Sequence, residues 1–139
     1  MKQVTENLWI SPQPTAADFE EAKAKGITRI INNRTDGEDP GQPTAAESAA
    51  KATELGLSYV HIPIVPGKIT TETVRAFQKA LWDADGPVLA HCKTGTRSLT
   101  LWAIGEVLDG RMTVAEIDEL GSRMGVDLAG AKNWLKANS

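Results

Sequence analysis

Apolar and polar positions follow two alternating rhythms along the chain. Short β-branched or leucine-rich runs are followed by stretches in which apolar residues recur every three or four positions. The first apolar run, Leu8–Ser11, predicts an opening strand, and a helix is expected from Pro14 or Thr15 to a stop at Gly26. ITRIINN (27–33) reads as a buried strand, and RTDGEDPGQP after it has the glycine, proline and aspartate content of a loop. A second helix is predicted from Thr44 to Leu55, and LSYVHIPIV (57–65) is the next strand, ended by Pro66 and Gly67. The third helix, 70–85, places Val74, Phe77, Ala80 and Leu81 on one face. PVLAH (87–91) is a short apolar strand. From Thr96 the pattern is helical to Leu108, then from Val114 to Met124 and from Leu128 to Ala137.

Strands that alternate with helices imply a mostly parallel sheet covered on both faces, with ligands received at the C-terminal ends of the strands. The string QPTAA occurs at 13–17 and again at 42–46, each time before a helical stretch. Thr15 with Asp18 and Thr44 with Glu47 have the spacing of a capping box, as do Thr113 and Glu116. Two independent uses of one good helix start explain the repeat better than a duplication does. In the last two helices Val114, Ile117, Leu120, Trp134 and Leu135 are expected to pack toward the sheet.

With 139 residues the expectation is one domain, 1–139. A net charge of −3 argues against a nucleic-acid or membrane-surface partner. The chain shows no apolar leader and no membrane-length apolar run, so a cytoplasmic location is expected. One cysteine excludes an internal disulfide and any CxxC redox pair. With two histidines and no zinc-ligand spacing, neither a metal nor another cofactor is expected.

That cysteine opens the most informative stretch, HCKTGTRS, residues 91–98. It lies where a strand passes through a glycine-containing loop into a helix, so unpaired backbone N–H groups and the positive end of the helix dipole face one point. A thiol at Cys92 in that field is expected to act as a thiolate nucleophile. Arg97 offers a planar fork for an oxyanion. Gly95 permits a tight or left-handed turn, and Thr96 and Ser98 supply hydroxyls. Lys93 and Thr94 are expected to point outward and shape access. His91 is turned away from the cavity by strand alternation, so it is expected to orient the loop by hydrogen bonding or simply to pack. His61 reads as a satisfied strand histidine, and Leu99, Trp102 and Val107 as the buried face of the helix after the loop.

HC…GTRS after a short apolar strand is similar to the loop of cysteine-dependent dual-specificity phosphatases. Together with ISPQPT, IINNR, DGEDPGQP and YVHIPI it resembles the phosphatase-like domain of the beta-lactamase-hydrolase-like family, whose bacterial members are also described as candidate sulfurtransferases. The resemblance spans roughly residues 1–110 and implies a dual-specificity-phosphatase-like α/β fold: a central, mostly parallel sheet flanked by helices, with a helical C-terminus. It implies Cys92 as nucleophile and Arg97 as anion clamp.

Two departures from the phosphatase pattern stand out. That pattern has five residues between cysteine and arginine, whereas this chain has four, Lys93 to Thr96. The resulting C-x-x-G-x-R resembles the rhodanese loop, a smaller cradle suited to a persulfide sulfur. Phosphatases of this type also carry an aspartate acid in the loop after the strand equivalent to YVHIPI, where this chain has VPGKIT (65–70), with Lys68 and no carboxylate. General acid catalysis contributes about 10²–10⁴-fold, so an alkyl phosphate would feel the loss while sulfur transfer would not. Asp36, Glu38 or Asp39 is a substitute acid if not ordinary turn residues, and Arg34 is a candidate second anion contact.

These readings make a sulfurtransferase the leading expectation. Cys92 would take sulfane sulfur from a small persulfide or thiosulfate donor and pass it to a thiol acceptor. A phosphatase working through a phosphocysteine, on phosphotyrosine or a small phosphoester, is the alternative, and a non-catalytic anion-binding module with a redox-sensing cysteine is the third.

Overall fold

The computed structural model describes residues 1–139. Five short strands form one sheet: β1 (Lys2–Thr5), β2 (Leu8–Ser11), β3 (Arg29–Asn32), β4 (Ser58–His61) and β5 (Val88–His91). Their order is β1-β2-β5-β3-β4, with β2, β5, β3 and β4 parallel and β1 antiparallel at the edge. Six helices accompany them: α1 (Ala16–Ala24), α2 (Ala45–Glu54), α3 (Thr71–Trp82), α4 (Thr96–Leu108), α5 (Val114–Met124) and α6 (Ala129–Ala137). The predicted elements are all present. β1 is an addition, because KQVT alternates too briefly to stand out as a strand and is ordered by pairing with β2.

Strand alternation divides the interior in two. Ile30 and Leu89 face Phe19, Ala22 and Ala52 of α1 and α2. Ile31, Val88 and Ala90 face the larger core built with Val74, Phe77, Leu99, Leu101, Ile104, Ile117 and Leu135 from α3 to α6. Val114 departs from the expected packing: it is 44% exposed, because the first residue of α5 lies beyond the edge of that core. No helix is long and apolar enough to cross a membrane.

The last register row of the parallel strands is polar throughout. Ser11 lies opposite His91, His91 opposite Asn32, and Asn32 opposite His61, directly after the apolar row Ile10–Ala90–Ile31–Val60. The core therefore ends in a row of hydrogen-bonding groups, and the loops that follow β2, β3, β4 and β5 gather around it.

Candidate active site

Helix α4 begins differently from its neighbours. Threonine side chains cap α1, α2, α3 and α5 in complete capping boxes, from Thr15, Thr44, Thr70 and Thr113. At α4 the cap is Gly95, left-handed at φ 99°, with no side-chain hydrogen bond to the first turn. A left-handed glycine reverses the chain within the loop, and the N–H groups of the following turn are left for another acceptor. The cap's own N–H is already used: Gly95 N donates to Cys92 Sγ at 3.0 Å. Cys92 is 1% exposed and sits one residue past β5, under the start of α4.

Arg97 emerges from the first turn of α4 but is not free. Its Nη1 and Nη2 donate to the two carboxylate oxygens of Glu38 at 2.6 and 2.8 Å, and Nη1 also reaches the Ile64 carbonyl at 2.9 Å. This is a fork-on-fork pair, the geometry that suits a guanidinium to any two-oxygen anion. It holds Arg97 firmly protonated, and the neighbouring Cys92 sulfur adds to the effect. In return Arg97, reinforced by Arg34 and the Thr35 backbone and hydroxyl, holds the Glu38 carboxyl far below the ordinary carboxylate range. Paired this way, Glu38 is held as an anion.

Arg34 occupies a different place from the one expected of it. It is 2% exposed, and its Nε, Nη1 and Nη2 donate to Glu38, Gln13 and Asp39 at 2.9, 2.9 and 2.7 Å. Every one of its nitrogens is engaged within the protein. It is the post around which the 34–41 loop is wound. Asp39 also receives Lys93 at 3.4 Å, which ties that loop to the outward side of the Cys92 loop. Asp36 accepts from Ala45 N at 2.8 Å at the start of α2.

The remaining predicted residues divide between scaffold and surface. Ser98 donates to Asn33 Oδ1 at 2.7 Å; Asn33 in turn bonds the His91 carbonyl at 2.8 Å through its N–H and the Ile62 carbonyl at 2.9 Å through its amide. This buried chain clamps β5, β3 and the first turn of α4 together. His91 Nδ1 donates to the Cys92 carbonyl at 3.4 Å, while its Nε2 is buried without a partner. Burial, with Arg34, His61 and Arg97 nearby, pushes His91 down to about 4, so the ring is neutral at ordinary pH. His61 Nε2 donates to the Arg34 carbonyl at 2.6 Å, the satisfied strand histidine the sequence predicted. Lys93 and Thr94 are exposed, and Thr94 and Thr96 share a hydroxyl bond at 3.1 Å. Lys68 is exposed on the 65–70 loop and takes no part in the arrangement.

Sequence reasoning weighed Glu38 only as a substitute acid and passed over Gln13 and Asn33. Their roles depend on loops that meet only after folding, and no spacing along the chain announces them.

The profile of the family described as "Beta-lactamase hydrolase-like protein, phosphatase-like domain" matches residues 1–109. The chain is 44% identical over 137 residues to the beta-lactamase hydrolase-like protein of Agrobacterium fabrum, covering 99% of this chain and 32% of that one. It therefore spans about a third of the length of the curated relatives it matches. Among solved structures, a candidate phosphatase from Neisseria meningitidis is 34% identical, with a TM-score of 0.88 over 99% of this chain and 97% of that one. Human DUSP28 superposes over the whole of both chains with a TM-score of 0.61 at 18% identity, a likeness of fold.

Proposed function

Because the chain belongs to the phosphatase-like domain family of the beta-lactamase hydrolase-like proteins, we propose that residues 1–139 form one domain acting as a cysteine-dependent phosphatase on phosphomonoesters. The Cys92 thiolate attacks phosphorus and the ester oxygen departs with its electron pair. Water then attacks the phosphocysteine, which releases inorganic phosphate and restores the thiolate. Arg97 and the uncapped N–H groups of α4 hold the phosphoryl oxygens as their charge develops.

The observation that carries this reading is the grip of Arg97 on Glu38. Its fork is already closed on two oxygens of an anion at 2.6 and 2.8 Å, the task a phosphoryl group would set it. A phosphoester takes Arg97 over from Glu38 by offering two oxygens in the same geometry; a thiosulfate donor offers them too, but the persulfide that sulfur transfer leaves on Cys92 presents a single sulfur.

The acid is still missing. Glu38 and Asp39 are held ionised by arginines, Asp36 accepts from the Ala45 N–H beside the Thr44 cap, and residues 65–70 contain no carboxylate. Such a phosphatase favours leaving groups stable as anions, so aryl phosphates should outrun alkyl phosphates by about 10²–10⁴-fold. Sulfur transfer remains the second reading, favoured by the four-residue spacing from Cys92 to Arg97 and by this lack of an acid. The test is hydrolysis of para-nitrophenyl phosphate by the wild type and Cys92→Ser, run beside incubation with a persulfide donor. Cys92-dependent release of nitrophenol supports the phosphatase. Sulfur loading of Cys92 without ester hydrolysis supports the transferase.

A further inference from the structure

A groove of about 550 Å³ opens beside Arg97, walled by the 65–70 loop, the first turns of α4 and one face of α6. Pro66, Ile69 and Trp134 give it apolar walls, and Thr96, Thr100 and Asn133 give it hydrogen-bonding groups. Arg97 is the only charged residue along it, and because its partner Glu38 lies outside the groove, an anion that displaces Glu38 meets the guanidinium at one end while the rest of the lining is neutral. Trp134 Nε1 donates to the Ile69 carbonyl at 2.8 Å, which fixes two of the walls against each other.

Three glycines lie inside helices, and they are not alike. At Gly105 a Cβ would stand 2.5 Å from Gln78 Nε2, and at Gly121 one would stand 2.7 Å from the Val126 carbonyl. Close packing requires both. At Gly130 a Cβ would meet nothing within 4 Å, and the residue has no positive φ. Neither close packing nor a left-handed backbone therefore requires a glycine there. Gly130 lines the groove, on the same α6 face as Asn133, Trp134 and Ala137.

We infer that this groove receives the uncharged, multi-ring aromatic group of a small aryl phosphomonoester whose phosphoryl group is held at Cys92 and Arg97, and that Gly130 keeps its mouth open. The inference rests on the phosphatase reading and narrows its substrate class. Anion and neutral body fall into place together: the charge goes to Arg97 and the rings to the Pro66, Ile69 and Trp134 walls, with polar ring edges toward Asn133 and the threonines. An aryl oxide is also the leaving group that a site without a proton donor tolerates.

The test compares methylumbelliferyl phosphate, whose fused rings would fill the groove, with para-nitrophenyl phosphate, whose single ring leaves most of it empty. Gly130→Leu should lower kcat/KM for the fused-ring ester by about tenfold more than for the single-ring ester, while Lys136→Ala, exposed on α6 outside the groove, leaves both unchanged. If Gly130→Leu does not fold, Ala137→Leu blocks the same wall. Equal effects on the two esters would overturn the assignment. A phosphotyrosyl peptide that suffers as much as the fused-ring ester would give the groove to a protein substrate and overturn the small-molecule class. Binding of methylumbelliferyl phosphate to Cys92→Ser, with and without Gly130→Leu, separates the groove from the chemistry. Binding that weakens with the leucine, in a wild type that hydrolyses neither ester, keeps the groove and sinks the phosphatase. Binding that ignores the leucine sinks the groove.

Discussion

Two loops flank Arg97, both leading from a parallel strand into a helix at the same edge of the sheet, and they are built on opposite principles. The 34–41 loop after β3 is charged and self-contained: Arg34 is buried at its base, Glu38 and Asp39 ring that guanidinium, and Glu38 reaches on to Arg97. The 65–70 loop after β4 has no carboxylate, leaves Lys68 in solvent, and is held by the Ile64 carbonyl on Arg97 and the Ile69 carbonyl on Trp134. One loop stores a competing anion; the other offers a neutral wall. The contrast explains how a single arginine is kept desolvated, oriented and charged.

The largest expected effect comes from removing the residue both loops share. Arg97→Ala should lower kcat/KM for para-nitrophenyl phosphate by about 10²–10³-fold, and Arg97→Lys should recover only part of it, since an ammonium cannot present a two-pronged fork. An unchanged rate in the alanine variant would break the comparison at its centre.

Glu38→Gln tests the charged loop alone. It leaves Arg34 and Arg97 with an uncharged acceptor, so stability should fall by roughly 2–3 kcal/mol in urea unfolding. The same change removes the internal competitor, so inorganic phosphate, titrated by calorimetry, should bind about tenfold more tightly. Weaker phosphate binding in a folded variant would mean that Glu38 positions Arg97 for the anion and does not compete with it.

His91 extends the charged side into the core. Its folded pKa, about 4, lies below the unfolded value near 6.5, so the unfolded chain takes up a proton that the folded chain refuses. This contribution to stability is therefore complete above about pH 6.5 and is lost as the pH falls toward 4, a change of at most roughly 3.5 kcal/mol. His91→Gln should flatten the unfolding free energy across that window, and an unaltered slope would assign the acid sensitivity elsewhere.

The neutral loop can be given what it lacks. Lys68→Asp should raise turnover of an alkyl phosphate by about tenfold relative to an aryl phosphate, if a carboxylate there meets the departing oxygen. Asp36→Asn stands at the small end: hydrolysis rates should stay within about twofold and the acidic limb of the pH profile should not move, since Asp36 serves the start of α2. Loss of that limb would return Asp36 to the role of acid.

The fold was largely legible because its signals are local. Threonine caps with an acid three residues on, glycines after helices and β-branched runs of strand length each mark an element without reference to the rest of the chain. The edge strand β1 escaped because partners, not composition, make it a strand. At the site, Cys92, Gly95 and Arg97 could be read from one octapeptide because strand, loop and helix follow each other there. The surroundings of Arg34 were not legible for the opposite reason: a guanidinium in a polar loop looks available until folding brings Gln13, Glu38 and Asp39 around it. Nor does loop length show what fills the cradle, and the four-residue spacing that pointed to sulfur sits beside an arginine whose fork grips two oxygens.

The central claim, that Cys92 carries a phosphoryl group, is tested most directly by mass spectrometry of the intact protein, quenched in acid during turnover of para-nitrophenyl phosphate. The account predicts a phosphoryl adduct on Cys92 that is absent from Cys92→Ser. An unmodified Cys92 under those conditions, in a protein that gains a single sulfur atom at Cys92 from a persulfide donor, would contradict it.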